Sequence, residues 1–512
     1  MPTNATRKRP LCEMTQPATL APRLSLTALC ACLALSGCAT IAVDMPKAPD
    51  TPQTFTQVPS TAVNTDIAQW WLGVADPTLQ RLIEQGLQQN TEVRMALARV
   101  KEARAVITQA ESALYPTLKG FGATGRIKPD ELRGPGMAAT PVLPGVTLPA
   151  IPSKIDDAPS ANVSTFGVAA AWEIDVFGAR RSDADAARQA ALAYEEKQHG
   201  AQLMVAGEIA NNYIEARSIE HRQRLLRQSL DTARQLQRYA QGRFDAGQAT
   251  RYDVDRARSQ VDALAAMQAP LDTLLSARLR RLAVLTGQAP EALTALPAPT
   301  AQAPADATVI PAKLPTVLPS DVLERRPDVR GSANQVRALA ARLGSAKADL
   351  LPRFYLGFLA NDGRIELGDL ATTSGRFTSW GAGVQVPLFE GGRIRANIRQ
   401  ADARLEGAGI QYEQAVLTAL EDVENAYAAR RALDERATLL TSAWKAADDG
   451  ARHAQRLFDE GRGLLAPALE ARLSSLQRED ELVQAQTARA LSTVMLYKAI
   501  GGGWQDISQP AP

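Results

Sequence analysis

The stretch TFGVAAAWEIDVF, Thr165 to Phe177, decides the fold. Phe166, Val168, Ala170, Trp172, Ile174 and Val176 alternate with Thr165, Gly167, Ala169, Ala171, Glu173 and Asp175. A period of two sends successive side chains to opposite faces, so this is a strand with one apolar face and one small or polar face. It is set in a chain otherwise suited to long helices. The 512 residues are 45% hydrophobic but only 5% aromatic, and Ala, Leu, Gln, Arg and Glu are abundant.

Toward the N-terminus, the Pro/Gly-rich stretch 128–160 reads as loop, and Lys119 to Gly125 as a weaker strand. A helical pattern from Thr91 to Leu114 stops at Tyr115-Pro116. Toward the C-terminus, a proline-free helix runs from Ala179 to about Phe244, with Leu203, Ala206, Ala210 and Tyr213 stepping by three and four along one seam. Asp245-Ala246-Gly247 breaks it, and a second helix, Tyr252 to Thr286, ends at Gly287. The plan then repeats. A helix opens at Pro327. Phe354, Leu356, Phe358 and Ala360 alternate with Tyr355, Gly357, Leu359 and Asn361, and Trp380, Ala382, Val384, Val386 and Leu388 form another alternating run. A long helix from Arg393 carries Val416, Leu420, Val423 and Tyr427 on its seam, Glu460-Gly461 interrupts it, and a last helix ends at Ile500-Gly501. Tyr213 pairs with Tyr427, Phe244 with Phe458, Gly247 with Gly461 and Gly287 with Gly501, all at one offset, which argues for duplication. The expected organisation is a leader (1–37), an extended tether (38–64), a first repeat (65–296, strands near 117–127 and 163–177), a Pro/Ala linker (297–319), a second repeat (320–504, strands near 353–361 and 378–389) and a tail (505–512).

Four strands of roughly ten residues each have the length that crosses a bilayer at a tilt. Their apolar faces end in aromatics, Trp172, Phe177, Trp380 and Phe389, as interface girdles do. An open four-stranded sheet in lipid would leave unpaired backbone groups on both edges, so it must close by association. Two chains give eight strands and a bore filled by side chains; three give twelve and room for a channel, which the Gly, Ala, Thr and Ser of the second face favour. The charged helices must lie in water, and at 1.5 Å per residue the longest reaches roughly 100 Å. The fold class expected is a mixed α/β membrane protein: four transmembrane strands per chain, a twelve-stranded barrel as a trimer, a long α-helical coiled-coil barrel, and an internal two-fold repeat.

The N-terminus reads as an export signal. Arg7, Lys8, Arg9 and Arg23 precede the uncharged run Leu24 to Leu35, which is too short to span a bilayer comfortably. Leu35-Ser36-Gly37-Cys38 resembles the bacterial lipobox, in which the cysteine carries the lipid; a plain secretory signal and a short buried helix are the other readings, and Met14 is an alternative start. All four cysteines (Cys12, Cys30, Cys32 and Cys38) precede residue 39, so the body holds neither a disulfide framework nor a thiolate zinc site. A net charge of +2 gives no pull toward nucleic acid.

Four further stretches carry a resemblance: Trp70-Trp71 with Asp76-Pro77; Leu323-Glu324-Arg325-Arg326-Pro327-Asp328-Val329; Val386-Pro387-Leu388-Phe389-Glu390-Gly391-Gly392-Arg393; and Gly501-Gly502-Gly503-Trp504. The chain resembles the TolC superfamily of outer-membrane factors, in particular its lipid-anchored NodT/OprM branch. The resemblance implies a homotrimer in the outer membrane with its helices in the periplasm. It would be the exit duct of a tripartite efflux system with an inner-membrane resistance-nodulation-division (RND) pump and a periplasmic adaptor, passing drugs or other small toxic compounds. It implies lipidation at Cys38 and adaptor contact at the hairpin tips, Gly247 and Gly461. In the family the tips narrow to an aperture ringed by acids in the pattern Asp-Val-Leu-Asp. Here that pattern reads Pro467-Ala468-Leu469-Glu470, so Glu470 matches the second acid. Asp253 matches an acid that helps lock the closed state; its usual basic partner falls on Gly463, with Arg462 adjacent. On residues alone, Asp253 and Glu470 read equally well as solvated acids near helix starts.

No catalytic constellation, phosphate-binding loop or dinucleotide fingerprint stands out, so neither enzyme activity nor a cofactor is expected. His199, His221 and His453 lie in helical tracts without ligand-spaced neighbours. Two rival readings remain: a duct for type I protein secretion, and a lipid-anchored coiled-coil spacer without a pore. The period-two strands argue against the spacer, which has no use for a lipid-facing sheet.

Overall fold

Prolines and capping side chains set where the helices begin. The computed structural model describes residues 41–47, 49–57, 69–74, 76–127, 141–143, 146–147, 160–297, 315, 317–367 and 371–504. The leader, Cys38 and the tail lie outside them. The chain falls into two compact units, one including 111–183 and 344–398, the other 44–110, 184–343 and 399–512.

The first unit is built on a sheet of β1 (Thr117–Ile127), β4 (Ala161–Ile174), β5 (Arg353–Leu367) and β6 (Ala371–Gln385), in the order β1-β4-β5-β6. Every neighbouring pair is antiparallel. The short strands β2 (Pro141–Leu143) and β3 (Val146–Thr147) form a separate ribbon inside the stretch expected as loop. Three strands have bounds that differ from the sequence reading. β4 ends at Ile174, not 177, because Asp175 turns its carboxylate to the Arg180 and Arg181 N–H groups, at 3.1 and 2.8 Å, and so starts the next helix. β5 continues past 361 through Asn361-Asp362-Gly363, residues that usually turn, because both neighbours pair with them. β6 runs from Ala371 to Gln385 and not 378–389: Thr, Ser and Gly hide its start, and Pro387, lacking an N–H, follows its end. Phe177 and Phe389 therefore sit beyond strand ends.

The helices are α1 (Pro77–Gln89), α2 (Thr91–Ser112), α3 (Ala179–Asp245), α4 (Arg251–Ala266), α5 (Gln268–Leu285), α6 (Pro319–Arg325), α7 (Pro327–Ala348), α8 (Arg393–Asp459) and α9 (Leu465–Ala499). The single helix expected from Tyr252 to Thr286 is two, broken at Met267. Pro270 occupies the third position of α5, where its missing N–H costs nothing. Short α6, before Pro327, was not expected.

In the second unit the duplication is visible atom by atom. Leu285 of α5 and Ala499 of α9 are equivalent positions. The Asn90 side chain donates to the Leu285 carbonyl at 2.9 Å, and the Arg326 guanidinium donates to the Ala499 carbonyl at 3.2 Å. Each donor stands just before a 22-residue helix. The next turn is the same in both copies: Gly287 and Gly501 have φ of +75° and +78°. A Cβ on Gly287 would lie 2.7 Å from the Gln89 carbonyl oxygen, and one on Gly501 3.1 Å from the Arg325 backbone. Glycine is required there by conformation and by space.

One core fills the middle of this unit. The α3 seam of Leu203, Ala206, Ala210 and Tyr213 is buried, as are Val416, Val423 and Tyr427 of α8. Trp70 stacks on Tyr497 with ring centres 5.2 Å apart. The two equivalent tyrosines keep their hydroxyls partnered, Tyr213 with Asp76 and Tyr427 with the Pro315 carbonyl at 2.5 Å. Arg217 holds the Pro297 carbonyl at 2.7 Å, so both described ends of the linker are fixed. Part of the expected tether is docked too: Phe55 is buried in this core, and Thr56 and Gln57 donate to the Glu424 carboxylate.

Candidate functional site

Strand register sorts the sheet into two faces. On one, Trp172 aligns with Leu356 and Ala382, then Leu118 with Ala170, Phe358 and Trp380, then Val168 with Ala360 and Thr378. Trp380 is 83% exposed, Leu118 73% and Phe166 67%, an apolar surface without cover among the described residues. It ends where Phe166 aligns with Asp362 and Arg376. Beyond lie Arg364 and Glu366, paired at 2.9 Å, while Arg376 and Asp362 stand 3.8 Å apart. From Val384 to Arg376 the strand covers roughly 26 Å, or about 19 Å of height at a 45° tilt. Exposed Val386, Leu388 and Phe389 continue the apolar run past the strand end. This is the size of the lipid-facing band of a membrane barrel, closed by a charged rim.

The other face is mostly small: Ala123, Thr165, Gly363 and Gly375 form one row, and Ala171, Gly357 and Gly381 share another with Thr117. Larger side chains interrupt it: Lys119 and Leu359 in one row, Tyr355 in another, and two phenylalanines, Phe121 and Phe377, in the row of Gly167 and Asn361. Sequence reading missed both phenylalanines. Phe121 lies in the weakly patterned strand and Phe377 before the quoted alternation, although its parity with Gly381 and Gly383 was there to read.

The hairpin tips are the second set of expected residues. α3 ends with the Gln248 N–H on the Arg243 carbonyl at 2.7 Å, and α8 with the Arg462 N–H on the Leu457 carbonyl at 2.8 Å. Gly247 and Gly461 have φ of +71° and +70°, with open space where a Cβ would stand. Here glycine answers to conformation alone.

The structure gives Asp253, Glu470 and Arg462 separate partners. Asp253 caps α4: its carboxylate accepts from the Thr250 N–H at 2.9 Å and hydroxyl at 2.7 Å. Those bonds, the hydroxyl's first, hold its pKa below the ordinary carboxylate value. Arg462 pairs within its own turn with Glu460 at 3.2 Å. Glu470 pairs with Arg256 at 3.0 Å, both about half-exposed. Arg256 and Glu470 are 214 residues apart, the repeat offset, so they are equivalent positions facing one another. Sequence reading missed Arg256; the offset itself was the available signal.

Among the described residues no group of three or more His, Cys, Asp and Glu is placed to hold a metal ion. His199 is packed, stacked on Trp504 with ring centres 4.3 Å apart and 3.2 Å from Glu196, which also binds Arg330 at 2.6 Å. No described helix is long and apolar enough to cross a membrane.

Comparison with known proteins agrees with these features. The family described as outer membrane efflux protein matches residues 82–288 and 318–502. The pyoverdine export outer membrane protein OpmQ of Pseudomonas aeruginosa is 29% identical over 95% of this chain and 98% of its own. The solvent efflux pump outer membrane protein SrpC of Pseudomonas putida is 28% identical over 84% of this chain and 86% of its own. The outer-membrane channel OprN superposes with a TM-score of 0.75 at 28% identity, covering 91% of this chain and all of its own. The open-state MtrE channel of Neisseria gonorrhoeae gives 0.76 at 27% identity, over 92% of this chain and 100% of its own. With both repeats matched and the sheet and hairpins in place, this chain belongs to the outer membrane efflux protein family, as a TolC-like, non-enzymatic efflux channel protein of the outer membrane.

Proposed function

We propose that three copies close the sheet into a twelve-stranded barrel and that the resulting pore is the exit duct of a tripartite efflux system, working with a periplasmic adaptor and an RND-type inner-membrane pump on small toxic compounds. The observation that carries this is the sheet. Its edge strands β1 and β6 each have one neighbour among the described residues, and the order β1-β4-β5-β6 alternates in direction. A neighbour's β1 thus meets β6 antiparallel, as ring closure requires, and no backbone edge is left in lipid. The relatives' names support a small-molecule cargo: pyoverdine for OpmQ, solvent for SrpC, cations for CusC of Escherichia coli.

In this reading Cys38 carries the lipid anchor once 1–37 are removed, and the Gly247 and Gly461 turns meet the adaptor. The aperture is lined near Asp253, Arg462 and Glu470. Glu470 forms a ring of acids, each partly offset by its own Arg256, so the ring selects cations weakly. Single cysteines at Gly247 and Gly461, crosslinked in cells, test the partnership. Recovery of an adaptor and pump at both positions is expected; capture of a protein-secretion ATPase complex would replace the pump assignment.

A further inference from the structure

Phe121 and Phe377 stand out on the mostly small face of the sheet. They lie on the face opposite Trp380 and Phe358, in one register row, Phe121–Gly167–Asn361–Phe377. With the apolar band toward lipid, this face would line the bore. Along β4 its residues are the more sheltered at every alternate position from Ala161 to Val168. At the row itself the strands approach closely: a Cβ on Gly167 would lie 2.4 Å from the Ala360 carbonyl oxygen. Phe121 and Phe377 are 36% and 39% exposed, so part of each ring stays open. They stand on the two edge strands. The row on one side holds only Ala123, Thr165, Gly363 and Gly375, so the rings stand proud of the wall there; the row on the other side holds Lys119, Ala169, Leu359 and Ser379.

We infer that Phe121 and Phe377 form an aromatic collar inside the bore, a transient binding site for apolar, ring-bearing solutes. The inference rests on the trimeric barrel proposed above. Every seam between copies joins a β1 to a β6, so each seam carries one Phe121 and one Phe377, two rings at each of three seams. Rings beside a row of glycine, alanine and threonine narrow the passage and offer π-faces to aromatic or cationic apolar cargo. A wall of small residues alone would only be wide.

The test uses full-length protein in planar bilayers, with tetraphenylphosphonium as the probe. The wild-type channel is expected to show reversible block by the probe. The Phe121→Ala/Phe377→Ala variant is expected to lose the block and to conduct about twofold more. Phe121→Leu/Phe377→Leu keeps apolar bulk without rings; it should lose most of the block and still migrate as a heat-modifiable trimer, which guards against misfolding. Equal block in wild type and both variants, or none in a conducting wild type, overturns the collar and leaves the duct standing. A wild type that neither assembles nor conducts overturns both.

Discussion

At the scale of the residue, glycines with the same backbone angle are held for different reasons, and the difference is measurable. Gly501 is left-handed and also abuts the Arg325 backbone at 3.1 Å, whereas Gly247 is left-handed in open space. Gly247→Ala should cost about 1 kcal/mol and Gly501→Ala about 2–3 kcal/mol in chemical denaturation followed by helix signal. Arg326 is the other such residue. Its guanidinium, nearly buried, binds Asp328 at 2.7 Å, Asp422 at 2.9 Å and the Ala499 carbonyl. Burial opposes the charge on Asp328, but the hydrogen bonds and charge of Arg326 win, and its pKa is lowered from the ordinary 3.8. A carboxyl lowered on folding contributes stability above its unfolded pKa and loses it as pH falls through the folded value. The thermal midpoint should therefore drop from about pH 4 downward. Asp328→Asn should lower the midpoint at neutral pH and flatten the acid limb; an unchanged limb contradicts the clamp. The sequence showed Arg-Arg-Pro-Asp as a helix start. It hid the carbonyl that Arg326 reaches, because that contact lies 173 residues away.

At the scale of the element, adjacent residues of β6 separate the two faces. Trp380→Arg puts a charge on the apolar face and should cost about 2–4 kcal/mol, read as loss of the heat-modifiable form in the outer membrane. Ser379→Arg, one residue away on the other face, should assemble normally. Equal loss in both would mean that the faces carry no such division. At the tips, Arg256→Gln leaves Glu470 without its partner, and if the proposed ring of acids forms it should shift the reversal potential in a salt gradient toward cation preference; Glu470→Gln should shift it the opposite way. Both variants should change stability by less than about 1 kcal/mol, since the pair is exposed. Periodicity made the long helices and the cores of three strands legible, because burial on one face dictates residue type there. Strand ends were not legible. Asn361-Asp362-Gly363 and Thr372-Thr373-Ser374 carry turn chemistry locally, and only their neighbours in the sheet hold them extended.

At the scale of the whole molecule, the sequence carried the duplication and the need for closure. Constant spacing survives divergence, and a four-stranded sheet with an apolar face has an unpaired rim wherever it is placed. Parity and the repeat offset held the signals for Phe377 and Arg256, but their partners emerge only where the register or the repeat brings residues face to face. The central claim is that the chain is a third of a channel. It is tested most directly by extracting the full-length protein from outer membranes in mild detergent, measuring its mass by light scattering, and reconstituting that same species in planar bilayers. The account predicts a particle of three chains that dissociates only on boiling and conducts ions in steps of one size. A monomer, or a trimer that leaves the bilayer insulating, would contradict it.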